Sequence, residues 1–266
     1  MAATPVAILG ITGRMGQSLV RVLNEFPALM LTGALASEKS AHQQHDAALE
    51  GPPTKVQISA DLAEVLATAK IAIDFSSAAA TAEHAARCAE HNVALLVGTT
   101  ALGEAALAAL NKASVKVPVL IAPNTSVGVS VLLDLAVKAA KALDADFDIE
   151  ISEAHHRLKR DAPSGTALKL AEALAAARGT SLKEAAVHDR HGAARALGSI
   201  GFSVVRAGDI VGEHTVLFAA AGERLEITHR ATDRAIFARG ALKAAIWLQT
   251  QPPGLYGMQD VLARRD

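Results

Sequence analysis

Thr4-Pro-Val-Ala-Ile-Leu9 runs directly into Gly10-Ile11-Thr12-Gly13-Arg14-Met15-Gly16, and this stretch decides how the chain is read. The first six residues are apolar and β-prone, and a helical pattern begins as soon as the glycines end. Three glycines at three-residue spacing form a variant of the dinucleotide fingerprint. Gly10 makes the turn, Gly13 lets a pyrophosphate approach the backbone, and Gly16 lets helix and strand pack closely. A glycine-rich strand-to-helix turn without a ligand has the same spacing, so the motif needs company.

The company comes from the next hundred residues. Strand-like runs recur near 5–9, 29–34, 71–74, 93–97 and 118–121, with helical stretches near 14–25, 61–68, 78–91 and 102–113. Such alternation predicts an α/β protein with a Rossmann-type, doubly wound parallel sheet over residues 1–126. Candidate ligand segments follow the strands: Gly10, then Asp74-Phe75, then Gly98-Thr99-Thr100, then Ala122-Pro123-Asn124-Thr125. Open parallel sheets bind ligands at the carboxyl ends of their strands, so these loops are expected to converge.

Beyond Ser126 the pattern changes to a helix near 128–143, a strand near 147–154, a helix from Ala167 to Arg178, and strands near 200–206, 212–220 and 224–231. We read 127–236 as a second α+β domain with a mixed, largely antiparallel sheet. Turn signals at 207–209 and 222–223 predict antiparallel pairing of the strands they join. A helix near 234–249 lets the segment 237–266 return to the first domain, with hinges near 126 and 236, and 180–199 reads as a polar, mobile loop.

Composition sets the outer limits. Hydrophobic residues make up 51% of the 266 but aromatics only 3%, so the core must be Ala, Val, Leu and Ile, as in buried parallel strands. A net charge of -1 supplies no global field for nucleic acid or an anionic membrane. The one cysteine, Cys88, rules out an intramolecular disulfide and reads as a packing residue. No signal peptide or membrane helix is legible, which predicts a cytoplasmic protein. No metal site is expected. His42, His45, His84, His91, His188 and His191 lack the ligand company of zinc and read as surface or capping residues. His214 and His229 fall in predicted strands as structural residues.

A second dense cluster is Glu153-Ala-His155-His156-Arg157-Leu-Lys159-Arg160-Asp161-Ala-Pro-Ser164-Gly165-Thr166. Two imidazoles and three permanent cations precede a turn of small residues. Ser164 is placed to cap the following helix and Gly179 to end it, so Gly165 and Thr166 open a helix whose N-terminus attracts carboxylates. On a helical turn His155 and Lys159, four apart, would point to one side. A proton donor and a cation could then serve a small anionic substrate.

Taken with Gly13-Arg-Met-Gly16, Gly98-Thr-Thr100, Asn124-Thr-Ser-Val-Gly128, Arg206-Ala-Gly-Asp-Ile-Val-Gly-Glu-His214 and Gly222-Glu-Arg-Leu-Glu-Ile-Thr-His229, the cluster resembles the 4-hydroxy-tetrahydrodipicolinate reductase (dihydrodipicolinate reductase) family over nearly the whole chain. The resemblance implies NAD(P)H-dependent reduction of a cyclic imine dicarboxylate in the diaminopimelate route to lysine. His155 and Lys159 would be catalytic, and His156, Gly165 and Thr166 would grip substrate carboxylate. Cofactor contacts would fall on Gly10 to Met15, Gly98 to Thr100 and Ala122 to Thr125, and the family forms homotetramers. Where an acid normally holds the adenosine ribose, ungapped alignment places Ala36, followed by Ser37, with Glu38 as a displaced substitute. That departure favours NADPH at least as well as NADH. Two alternatives stay open on the residues alone: another two-domain dehydrogenase acting on an amino-acid semialdehyde or keto acid, and a nicotinamide-sensing module without turnover.

Overall fold

Strand β1 (Thr4–Leu9) buries both of its faces, because alternate side chains enter different cores. Val6 and Ile8 join one core and Ala7 and Leu9 the other. The computed structural model describes residues 2–263, and they fall into two units. One comprises the chain up to Val127 together with the segment from Ala235 onward; the other is Gly128–Arg234.

In the first unit β1 leads to α1 (Arg14–Val22), β2 (Leu29–Leu35), β3 (Ile58–Ser59), α2 (Leu62–Leu66), β4 (Ile71–Asp74), α3 (Ala78–His91), β5 (Ala94–Val97), α4 (Glu104–Ser114) and β6 (Pro118–Ile121). After the second unit come α8 (Ala235–Leu248), β12 (Gly254–Tyr256) and α9 (Met258–Leu262). The strands form one parallel sheet in the order β12-β6-β5-β4-β1-β2-β3. Leu19 and Val22 of α1 and a run of small residues of α8, including Ala238, Ala241 and Ala245, cover one face. Ala85 and Cys88 of α3 and Leu110 and Ala113 of α4 cover the other, the doubly wound arrangement. Small residues allow α8 to lie close to the backbone: a Cβ on Gly240 would stand 1.8 Å from the Thr125 carbonyl oxygen. Strands β3 and β12 were not foreseen. They are two and three residues long, too short for a periodicity to register.

The second unit holds α5 (Val127–Ala142, which starts one residue before it), β7 (Asp148–His155), α6 (Gly165–Ala177), α7 (Leu182–Ala185), β8 (Ala186–Val187), β9 (Ile200–Arg206), β10 (Gly212–Ala220) and β11 (Glu223–Ala231). Its sheet order is β11-β10-β7-β9-β8. The expected hairpin at 222–223 forms, with β10 and β11 antiparallel. The one expected at 207–209 does not: β7 lies between β9 and β10, parallel to the first and antiparallel to the second. Burial explains the insertion, since Ile149 and Ile151 of β7 are the central apolar residues against Leu132, Ala136, Leu170 and Leu174 of α5 and α6. The stretch 180–199 also departs from the expected mobile loop. It contains α7 and β8, and Arg195 pins it by pairing with Asp148 at 2.8 Å and with Glu150. Among the described residues no helix is long and apolar enough to cross a membrane.

Candidate active site

His155 is the last residue of β7, and His156 to Pro163 form an irregular connection to α6. The helical turn expected to align His155 and Lys159 is therefore absent, because the sheet continues through His155, which is paired with Arg206 in β9. The two groups are still neighbours electrostatically: Lys159 is among the charges that act on the His155 ring. The imidazole is nearly enclosed. Its Nδ1 stands 2.6 Å from Glu153 Oε2, and the ring of His214 packs edge-on at 5.1 Å and 73°. At Nε2 the neighbour is Gly212, where a Cβ would come within 3.0 Å. Burial chiefly, with help from the Lys159 and Arg206 charges, holds the His155 pKa below the ordinary histidine value despite the pull of Glu153.

Ser164 caps α6, its Oγ accepting from Ala167 N at 3.2 Å and lying 3.2 Å from His214 Nε2. Gly165 and Thr166 open the helix as expected. Lys159 Nζ pairs with Asp161 Oδ2 at 2.8 Å, and Gly165 N–H also donates to that carboxylate. A side-chain carboxylate of the chain itself thus lies between a lysine and the start of α6, where positive charge and free N–H groups attract anions. His156 is partly exposed beside it. Glu153, Asp161, Arg206 and Gly212 were not singled out individually from the sequence, although each lies in a block that carries the family resemblance; His214, read from the sequence as a structural strand residue, packs on the His155 ring.

In the first unit Leu9, Asp74, Val97 and Ile121 are cross-strand partners in successive pairs. Gly10, Phe75, Gly98 and Ala122, one residue beyond them, consequently line one sheet edge. Gly10 has φ +84°, and a Cβ on Gly16 would lie 2.5 Å from the carbonyl oxygens of Gly10 and Ile11, so strand and helix meet backbone to backbone. Gly13 stands at the N-cap of α1 without a side chain, and the first turn of that helix carries no acid. These residues fit a nicotinamide dinucleotide: the turn can receive a pyrophosphate. Thr12, Gly13, Arg14 and Met15 are accessible around it, and Ser37 is exposed after the neighbouring strand β2. Thr99 contacts Asp74, and Thr125 Oγ1 donates to the Phe237 carbonyl at 2.6 Å. His84 corrects the surface reading. It is buried, with Nδ1 2.9 Å from Asp74 Oδ2, and Asp74 also accepts from Ser76 N and Oγ, tying the β4 loop to α3. Ten residues separate His84 from Asp74, and an alanine-rich helix gives no sign of the partner.

Burial, and then the charge of His155, pushes the His214 pKa down to about 4. The unfolded chain binds a proton there below its ordinary value of about 6.5, whereas the folded chain does not. Stability must therefore fall as pH drops from about 6.5 to about 4, by at most about 3 kcal/mol from this group. Glu153 is held below the carboxylate range: burial would raise it, but hydrogen bonds from Arg206, His155 and Ser164 outweigh that. It adds a further loss in the same direction at still lower pH. Urea unfolding at pH 7 and 4.5 should show the drop, and His214→Asn should flatten its slope; equal slopes would mean that His214 titrates normally.

A 3-2-1-4-5-6 parallel sheet with a glycine turn at its first strand, plus a separate unit carrying a histidine-lysine cluster, defines the class of two-domain nicotinamide-dependent oxidoreductases. The narrower assignment comes from sequence. Residues 4–125 match the family model described as "Dihydrodipicolinate reductase, N-terminus" and residues 128–262 that described as "Dihydrodipicolinate reductase, C-terminus". The chain belongs to the dihydrodipicolinate reductase family. It is 44% identical to the 4-hydroxy-tetrahydrodipicolinate reductase of Syntrophobacter fumaroxidans, over 97% of this chain and 98% of that one. With the enzyme of the same name from Nitrosomonas eutropha it shares 44% over the full length of both. The fold is that of the dipicolinate-bound dihydrodipicolinate reductase from Paenisporosarcina sp., with TM-score 0.79 and 24% identity, covering 97% of this chain and 99% of that chain.

Proposed function

We propose that this protein converts 4-hydroxy-tetrahydrodipicolinate to tetrahydrodipicolinate with NAD(P)H in the diaminopimelate route to lysine, the 4-hydroxyl leaving as water and the resulting conjugated imine taking up a hydride and a proton. The observation that carries the reading is the carboxylate of Asp161 held between Lys159 and the start of α6, beside a histidine clamped at Nδ1. A dicarboxylate substrate presents the same group to the same donors. Lys159, His156, Gly165 and Thr166 bind and orient the carboxylates, and Lys159 offsets negative charge as it develops. When bound, a nicotinamide would supply hydride to one end of a conjugated imine. His155 holds a proton at Nε2 for the other end, so that the electron pair does not remain as unneutralised charge. Gly10 to Met15, Gly98 to Thr100 and Ala122 to Thr125 would hold the dinucleotide. The test is a coupled assay that generates the unstable substrate in place and follows loss of nicotinamide absorbance. No consumption above background would overturn the reading, and consumption with a semialdehyde or keto acid instead would assign a different dehydrogenase.

NADPH should serve at least as well as NADH. Ala36 is buried at the end of β2, while Arg14, Ser37 and Lys39 are exposed and offer cations and a hydroxyl to a 2′-phosphate; the exposed Glu38 between them is the displaced acid that keeps NADH as a substrate. The ratio of kcat/KM for NADPH over NADH should be one or more and should fall in Ala36→Glu. A strong NADH preference in the unaltered protein would refute this assignment.

A homotetramer in the cytoplasm is the expected working form. Core-forming residues of α5 and α6 cover one face of the second sheet. The opposite face carries Ala154, Thr215 and Leu217, which alternate with buried residues along their strands, and the exposed Val205, which is paired with Ala154. Light scattering should give a mass about four times that of the 27.4 kDa chain, and a monomer at working concentration would refute it.

A further inference from the structure

The Glu153 side chain is completely buried, and each of its oxygens is engaged twice. Oε1 accepts from Ser164 N at 3.0 Å and from Arg206 Nη2 at 2.7 Å; Oε2 accepts from Arg206 Nη1 at 2.8 Å and lies 2.6 Å from His155 Nδ1. Arg206 Nη2 reaches further, donating to the Asp161 carbonyl at 2.5 Å. We propose that Glu153, with Arg206 as its counter-ion, is the positioning residue of the reaction: it sets the tautomer of His155 and couples that ring to the loop carrying Lys159 and to the first turn of α6. The proposal rests on the reading of His155 as proton donor.

A carboxylate can only accept, so Nδ1 must carry a proton and Nε2 becomes the nitrogen that gains and loses one. The surroundings leave that nitrogen usable. The His214 ring packs edge-on against His155, and Gly212, lacking a side chain, leaves open the space 3.0 Å from Nε2 that a Cβ would fill. Buried alone, the carboxylate would tend to take up a proton itself; the bidentate guanidinium keeps it ionised. The same two groups fasten the C-terminal end of the 156–163 connection, at Asp161 and at Ser164, so a displacement of Glu153 would move donor and carboxylate site together. The charged and titratable groups facing His155 are Glu153 on β7, Arg206 on β9, Lys159 in the connection, and His214 on β10 with His229 behind it on β11.

The experiment is imidazole 15N NMR on the full-length enzyme, with His155 assigned by its loss in His155→Gln, alongside kcat against pH for the unaltered enzyme, His155→Gln and Glu153→Gln. In the unaltered enzyme neutral His155 should be protonated at Nδ1; protonation at Nε2 overturns the proposal without recourse to any variant. Glu153→Gln should lose that preference and lower kcat about a hundredfold or more, as misplaced tautomers do elsewhere. It should also move the fall of kcat at high pH to lower pH, because the imidazolium has lost its anion. A purely structural role would alter melting and leave both tautomer and pH limb in place, which counts against the proposal. If His155→Gln collapses kcat while Glu153→Gln changes neither tautomer nor limb, positioning fails and the proton-donor reading stands. If His155→Gln retains near-normal kcat, the proton-donor reading itself fails.

Discussion

His155→Gln should fold, bind cofactor as the unaltered protein does, and turn over about a hundredfold to ten-thousandfold more slowly, the usual range for a lost general acid. Glutamine is close in size and its amide can donate to Glu153, so the Glu153–Arg206 pair keeps its partners and the core of the second unit is undisturbed. What disappears is a group that can release a proton near neutral pH. Melting temperature and cofactor dissociation constant measured beside kcat separate this outcome from damage to the fold. A kcat within a few-fold of normal would remove His155 from the chemistry and leave Lys159 as the donor.

The second large effect is structural. Gly240→Ala should destabilise the first unit by about 3 kcal/mol or more, at or beyond the upper end for overpacking, because the added methyl meets a backbone oxygen that has no rotamer to escape into. Thr125, whose carbonyl it strikes, is also held to α8 through its hydroxyl, so the 122–125 segment must shift and cofactor affinity should fall as well. Urea unfolding and fluorescence titration with NADPH give the two quantities. A variant as stable as the parent would mean that α8 slides without cost, contrary to the Ala-rich packing around it.

The glycine turn shows how much is local. Gly10, Gly13 and Gly16 were legible because each requirement, a positive φ, an open helix end and a backbone contact, concerns residues within six positions of one another. The Ser164 cap was legible for the same reason, as were the main strands and helices, whose side-chain periods of 2.0 and 3.6 are written directly in the order of residues. Gly240 was not legible: nothing in an Ala-rich helix announces that one small residue faces a carbonyl more than a hundred positions away.

Sequence alone therefore determined the longer strands and helices, their parallel arrangement in the first sheet and the presence of a histidine-lysine cluster beside a capped helix. The tertiary structure decided what depends on pairing at long separation. It put β7 between β9 and β10, because only a central strand can give Ile149 and Ile151 cover from both helices. It ended a strand at His155 where a helical turn was expected, and it brought Arg206 across 53 positions to Glu153. Buried charges of this kind carry no periodic signal, since their energy comes from one partner at one distance, and that partner is chosen by the fold.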